Sequence, residues 1–235
     1  MAPVRVLTWN LFHGRSVPDA PHALRREFAD AIAGWDWDVA LLQEVPPWWP
    51  ADLARAAGAQ QRSVLTSRNA LLGARRAIAD RRPGLIKANG GGANAILIRG
   101  APIGEHREAA LRRAPERRVV HAVRLPDDEL WVANLHAQNR PCALAVRDIA
   151  RAAGHVAAWA GTEAAILGGD FNVSTPTAAG FAYAGGGVLD HVLTRGLQAD
   201  PTTEILDAGR LSDHRPVVVD IPRGEGRGAT GVLRE

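Results

Sequence analysis

A single cysteine, Cys142, leaves the chain of 235 residues with no internal disulfide and no cysteine-based zinc site. It is read as an isolated buried thiol. No apolar run approaches the length of a membrane-spanning helix. With an ordinary apolar fraction of 46%, the chain reads as a soluble globular protein. Lysine is nearly missing too, since all but Lys87 of the 28 cationic side chains are arginine. The formal charge is only +3, and no dense basic run alternates with aromatics. The arginine content is therefore read as compositional bias rather than as a nucleic-acid surface. Neither a repeat nor an interdomain linker is visible. The expectation is one domain over residues 1–222 and a flexible tail over 223–235, which is rich in Gly and Arg and lacks periodicity. A strand-like run begins at Val4, so no removable leader is expected, and the default location is cytoplasmic.

Strands are expected over Val4–Trp9, Val39–Gln43, Ala95–Arg99, Val119–Leu125, Leu130–Leu135, Ala165–Gly168, Val188–Leu193 and Val217–Asp220, from their β-branched and Leu content and their polar or Gly ends. Helices are expected over His22–Ala33, Ala51–Ala57, Asn69–Asp80 and Ala143–Trp159. In the last, Val146, Ile149, Ala150, Ala153 and Val156 are placed on one face. The Pro-Asp-Asp-Glu segment between two adjacent strands predicts an antiparallel hairpin, so mixed sheets covered by helices fit better than a purely parallel sheet.

Five polar motifs stand where apolar runs stop: VRVLTWN ending at Asn10, VALLQE ending at Glu44, LWVANLH ending at His136, AILGGDFN with Asp170 and Asn172, and SDHRPV with Asp213 and His214. Singly, each is explained by a turn or a helix cap. Together they suggest strands delivering metal ligands and proton-transfer groups to one rim. A hard divalent cation takes one or two carboxylates, an amide, and otherwise water and substrate phosphate, and Asn10, Glu44 and Asp213 supply that set. Residues two apart in extended chain share a face, so Asp170 and Asn172 are placed to hold an attacking water, with Asp170 as base. His214 is suited to bind a phosphate oxygen or shuttle a proton if a second group fixes its tautomer, and Asp190 is the candidate for that group. His136 is assigned to the leaving oxygen or the phosphate. Arg118, or else Arg117 or Arg113, is assigned to clamping phosphate. Asn94 in GGGANAILIR either faces the site or follows a glycine turn. His13 either lines the cleft or caps its loop. Trp48 and Trp49 are read as helix packing in preference to base stacking or lipid contact.

With these residues in place, the chain resembles the endonuclease/exonuclease/phosphatase superfamily of DNase I-like, metal-dependent phosphoesterases. The motifs that carry the resemblance are TWN at Thr8–Asn10, QE at Gln43–Glu44, NLH at Asn134–His136, GDFN at Gly169–Asn172, LDHVL at Leu189–Leu193 and SDHRPV at Ser212–Val217. The resemblance implies a four-layer α/β sandwich of two mixed sheets with flanking helices and a site at one end. It implies Mg2+, replaceable by Mn2+, held mainly by Glu44 with Asn10 and Asp213 nearby. It also implies that Asp170 and Asn172 position water, that Asp190 orients His214, and that His136 contacts the phosphate or leaving group. The expected partner is a phosphoester, with nucleic acid foremost and a small phosphate ester or lipid head group as the alternative. A Val-Pro-Pro segment follows QE where abasic-site endonucleases tend to carry a Lys, which argues against abasic-site repair. A non-catalytic binding module is the rival from another class, and the presence of Glu44, Asp170 and His214 disfavours it.

Overall fold

The structure, a computed structural model, describes residues 3–67, 69–81, 92–197 and 201–222. The expected tail over 223–235 lies outside them, as does much of the loop between 81 and 93. Among the described residues twelve strands form two sheets. The first contains β1 (Val4–Asn10), β2 (Val39–Val45), β3 (Gln60–Leu65), β4 (Ala93–Ile98), β11 (Thr202–Ile205) and β12 (Val217–Ile221), in the order β11-β12-β1-β2-β4-β3. The second contains β5 (His106–Arg112), β6 (Arg118–Leu125), β7 (Leu130–His136), β8 (Ala164–Asp170), β9 (Ala182–Gly186) and β10 (Asp190–Arg195), in the order β5-β6-β7-β8-β10-β9. Four α-helices accompany them: α1 (Arg25–Gly34), α2 (Pro50–Ala56), α3 (Leu72–Arg81) and α4 (Cys142–Ala160). None is long and apolar enough to cross a membrane.

Each sheet is antiparallel except at its centre, where β1 pairs with β2 and β7 pairs with β8 in parallel. The sheets stack with β1 over β8 and β2 over β7, so the two parallel pairs lie back to back. Alternation along each strand sorts side chains into layers. Val6, Leu41, Ile96, Val132 and Ile166 fill the space between the sheets. Leu7, Trp9 and Leu42 turn outward onto Phe28 and Ile32 of α1 and Leu53 of α2. Leu135 and Leu167 turn the other way onto Ile149 and Val156 of α4. The result is the expected four-layer sandwich.

All eight strands expected from the sequence form, as does the hairpin of β6 and β7, which turns through a 3-10 segment at Pro126–Asp128 and a left-handed Glu129. The four strands that sequence reasoning missed, β3, β5, β9 and β11, are the four sheet edges. Each has one largely exposed face, so none carries the apolar run that marks a central strand. The buried face of α4 also differs from expectation. Val146 is 51% exposed, and the face against the sheet runs through Ala145, Ile149, Ala152, Ala153, Val156 and Ala160. It includes the fully enclosed carboxylate of Asp148, whose two oxygens share the single Nε–H of Arg112 on β5, at 2.7 and 2.9 Å, and which accepts a further hydrogen bond from the Gln138 backbone. Removing one partner of such a buried pair costs roughly 3–5 kcal/mol, enough to set the rotation of a helix whose other buried side chains are mostly alanine.

His121 on β6 is completely buried on the face that carries Val123 and Leu125, its Nδ1 3.2 Å from His106 Nε2. Burial, with the neighbouring His106 adding to it, pushes its pKa down to about 3. The folded protein keeps this ring neutral, whereas the unfolded chain protonates it below about 6.5. Stability is therefore expected to fall as pH drops from about 6.5 toward 3, with His121 contributing up to about 1.4 kcal/mol per pH unit. Urea unfolding at several pH values should show a shallower acid slope for His121→Leu than for the wild type. An unchanged slope would contradict the buried neutral state.

Candidate active site

The space between the sheets is graded from apolar to polar along the strands. On β1 the inward residues run Val4, Val6, Thr8, Asn10; on β7 they run Leu130, Val132, Asn134, His136; on β8 they run Ile166, Gly168, Asp170. A polar tier lies just below the rim. Gln43 Nε2 donates across the gap to Asn134 Oδ1 at 2.8 Å, and Asn134 Nδ2 donates back to the carbonyls of Leu42 and Ala95, each at 2.9 Å. Gly168 permits the close approach, since a Cβ there would lie 2.6 Å from Leu41 Cδ1. At Gly169, with φ of +139°, a Cβ would lie 1.9 Å from the Leu135 carbonyl oxygen, so the first glycine is required by the facing sheet and the second by the neighbouring strand β7.

Because the central pairs are parallel, their C-terminal ends emerge side by side. In β7 and β8 the register places His136 directly beside Asp170. In the other sheet Asn10 ends β1, while Glu44 is turned by a bulge: Gln43 and Glu44 together oppose the single residue Asn94. Glu44 adopts φ of +49°, a left-handed conformation that costs a non-glycine residue roughly 1–2 kcal/mol. Strict alternation would send Gln43 and Glu44 to opposite faces. The bulge instead leaves the Glu44 carboxylate at the rim, 22% exposed, with Oε1 3.9 Å from His136 Nε2 and Oε2 3.1 Å from His13 Nε2.

Asp170 occupies the centre. Its Oδ2 accepts a hydrogen bond from Asn10 Nδ2 at 2.9 Å, which joins the two sheets, and its Oδ1 accepts one from the Asn172 backbone at 3.0 Å. His136 Nε2 and His214 Nε2 stand 3.5 and 3.9 Å from Oδ2. Burial raises the Asp170 pKa and outweighs the opposing pull of His214, Asn10, Asn172 and Arg118. Burial also drives His136 well below the usual histidine value, with the Arg118 charge adding to it, so this imidazole is neutral. His214 is the opposite case. Burial disfavours its charge, but a 2.7 Å contact of Nδ1 with Asp190 Oδ2, supported by the charges of Asp190, Asp170 and Asp213, raises it to about 9. Burial lifts Asp190 itself to about 6 against the hydrogen bond from His214, so near neutral pH the pair is a carboxylate and an imidazolium.

The structure thus brings Asn10, Glu44, His136, Asp170, Asn172, Asp190 and His214 to one end of the sandwich. Asn172, at φ of +53°, commits Nδ2 to the Ala137 carbonyl, and Asn10 Oδ1 accepts the Phe12 N–H. Asp213 is exposed, with its charge felt by Asp190 and His214. Arg118 is buried and donates to Glu116 at 2.6 Å and to Gln138 at 3.4 Å, while Glu44 and Asp170 favour its charge. Asn94 is wholly enclosed beside the Glu44 bulge, and neither amide atom has a hydrogen-bond partner among the described residues. The sequence placed Ser212 in the SDHRPV motif without assigning it a role. Its hydroxyl donates to the Asn10 carbonyl at 2.6 Å and accepts the His214 N–H at 3.1 Å, tying the two motifs together. The Ser-x-His spacing of a side-chain turn was the signal available for it.

Trp49 is buried against Phe28 and fills the space a Cβ on Gly14 would take, and Trp48 packs on the same cluster. Cys142, expected to be buried, is exposed. It opens α4 immediately after Pro141, so the first turn stands clear of the sheet and the thiol faces an open cleft of about 740 Å3 that runs past Asn172, Asn139, Arg140 and Leu189.

An α/β sandwich of two mixed sheets with acid, base and amide side chains gathered at one end is the DNase I-like class of fold. Residues 7–214 match the endonuclease/exonuclease/phosphatase family, and the chain belongs to it. Among solved structures, it is similar to an endonuclease/exonuclease/phosphatase from Beutenbergia cavernae, with a TM-score of 0.69 and 20% identity over 95% of this chain and 72% of that one. It is also similar to TDP2 from Caenorhabditis elegans, with a TM-score of 0.66 and 13% identity over 93% and 74% of the two chains. A mannosyl-6-phosphatase from Bacteroides thetaiotaomicron gives a TM-score of 0.63 and 16% identity over 93% and 99%. These likenesses establish the fold. No curated protein matches the sequence significantly.

Replacing Asp190 by Asn removes the charge that holds the proton on His214. The His214 ring, followed by NMR, is expected to titrate near 9 in the wild type and well below that in Asp190→Asn. Coincident titration curves would show that Asp190 does not set its charge.

Proposed function

We propose that the chain is a metal-dependent phosphoester hydrolase that attacks phosphorus directly with water, with phosphodiesters of nucleic acid as the leading substrate class. The observation that carries this reading is the inter-sheet carboxylate Asp170, held by Asn10 and Asn172 and faced by the His214–Asp190 pair, with Glu44 on the same rim. Among the described residues no three His, Cys, Asp or Glu side chains form a metal cage. The donor set suits a hydrated cation such as Mg2+ or Mn2+ instead, held through Glu44 with the Asn10 amide and Asp213 nearby and completed by water and phosphate. When bound, the cation polarises the phosphoryl oxygen and offsets the charge that develops on it.

The chain's own groups account for the remaining chemistry. Asp170, its carboxylate made more basic by burial, takes a proton from a water oriented with Asn172 as the water oxygen bonds to phosphorus. The bond to the leaving oxygen breaks on the opposite side. The His214 imidazolium, fixed by Asp190, donates to a phosphoryl oxygen, and His136 contacts the phosphate or the leaving oxygen. Arg118, a buried guanidinium whose charge is felt by His136 and Asp170, serves as the phosphate clamp, with the enclosed amide of Asn94 as a second candidate. A second reading, hydrolysis of a small phosphate monoester or lipid head group, draws support from the cleft beside Asn172, whose one cationic lining residue is Arg140. We place the activity in the cytoplasm.

Glu44→Gln and Asp170→Asn are each expected to lower hydrolysis by about 10²–10⁴-fold with far-UV circular dichroism unchanged. Plasmid DNA, RNA, sugar phosphates, nucleotides and phospholipid, compared in Mg2+ and in EDTA, distinguish the two substrate readings. Retention of activity by Asp170→Asn would remove the base from the mechanism.

A further inference from the structure

His13 is brought to the rim by a loop that has little freedom to place it elsewhere. Phe12, His13 and Gly14 all have positive φ, at 49°, 54° and 76°, and Glu44, the residue His13 touches, is left-handed as well. Strained backbone of this kind persists only where surrounding contacts hold it, and here they are plain. Leu11 extends the ladder by donating to the Gln43 carbonyl, Gly14 donates back to Leu11, and the Trp49 ring occupies the place of the missing Gly14 side chain. On the other flank the Arg15 carbonyl accepts the Ser212 N–H, joining the loop to the segment that carries His214.

Held this way, His13 puts Nε2 3.1 Å from Glu44 Oε2, on the opposite oxygen from the one that faces His136. Its Nδ1 is enclosed and has no partner among the described residues. A separation near 3 Å is what two donors at a right angle, each about 2.1 Å from one small divalent ion, would have.

We propose that His13 Nε2 is a nitrogen ligand that shares the divalent cation with Glu44, and that this mixed imidazole–carboxylate pair selects a first-row transition ion over Mg2+. The inference rests on the metal-dependent reading above and goes beyond it in adding a ligand and a selectivity. Carboxylate, amide and water donors serve Mg2+ and Mn2+ alike, whereas an imidazole nitrogen shifts preference toward the transition ion.

Mn2+ is the probe. His13→Asn keeps a residue that tolerates positive φ but is too short to reach Glu44, and His13→Gln offers an amide in place of the ring nitrogen. Pulsed EPR of Mn2+ bound to the wild type should show nitrogen modulation that is lost in both variants. Calorimetry should show Mn2+ affinity falling by at least about tenfold in His13→Asn while Mg2+ affinity changes far less. Circular dichroism of the variants verifies the fold. Absence of nitrogen modulation in the wild type, its survival in both variants, or equal losses for the two ions would overturn the proposal. Glu44→Gln separates the levels of inference. If it abolishes Mn2+ binding while nitrogen modulation survives in the His13 variants, only the role of His13 fails. If Mn2+ binds as well to Glu44→Gln as to the wild type, the metal assignment of the proposed function fails with it.

Discussion

The back-to-back stacking of two parallel strand pairs is the constraint on which the rest of this structure depends. A parallel pair sends both chains out at the same end, so β1 with β2 and β7 with β8 deliver four polar strand ends to one rim. Antiparallel pairing at either centre would have sent one of these four ends to the far side of the sandwich. The hydrogen bond from Asn10 to Asp170 closes the arrangement, since one residue ends the central strand of one sheet and the other ends the central strand of its partner.

Below that rim, the polar tier of Gln43 and Asn134 resolves a difficulty the site itself creates. The bulge that holds Glu44 at the rim interrupts the ladder between β2 and β4, and Asn134 reaches across the gap to the carbonyls of Leu42 and Ala95, the last register pair before the break. Buried carbonyls need partners, and here an amide from the facing sheet supplies one to each. Burial then separates the charges. Asp170 becomes more basic, His136 is held neutral, and His214 keeps its proton because Asp190 is within 2.7 Å. Two imidazoles and two carboxylates close together thus acquire different proton affinities from their positions alone.

The central strands were legible in the sequence because each is buried on both faces and reads as a mostly apolar run with a polar residue at its end. Edge strands carry no such mark: β11 has all four residues exposed, and it forms because β12 offers it a ladder. The rotation of α4 was misread because apolar spacing around Val146 ignored Asp148, whose burial depends on Arg112 more than thirty residues upstream. Cys142 was misplaced for a related reason, since its apolar character says nothing about where the first turn of α4 meets the sheet. His13 was ambiguous in the sequence because a lone histidine three residues past Asn10 has no periodicity to betray its direction.

By itself the sequence determined the class of protein, the central strands and most of the side chains at the rim, because those depend on local alternation and on motifs within single strand ends. Only the tertiary structure decided which of those side chains meet, that Asn10 bridges to Asp170, that a bulge brings Glu44 to His13 and His136, and which of the two histidines beside Asp170 carries a proton. These outcomes depend on contacts between separate elements, from 24 positions apart for Asp190 and His214 to 160 for Asn10 and Asp170, and on the burial those contacts impose, and neither is encoded in any one stretch of chain.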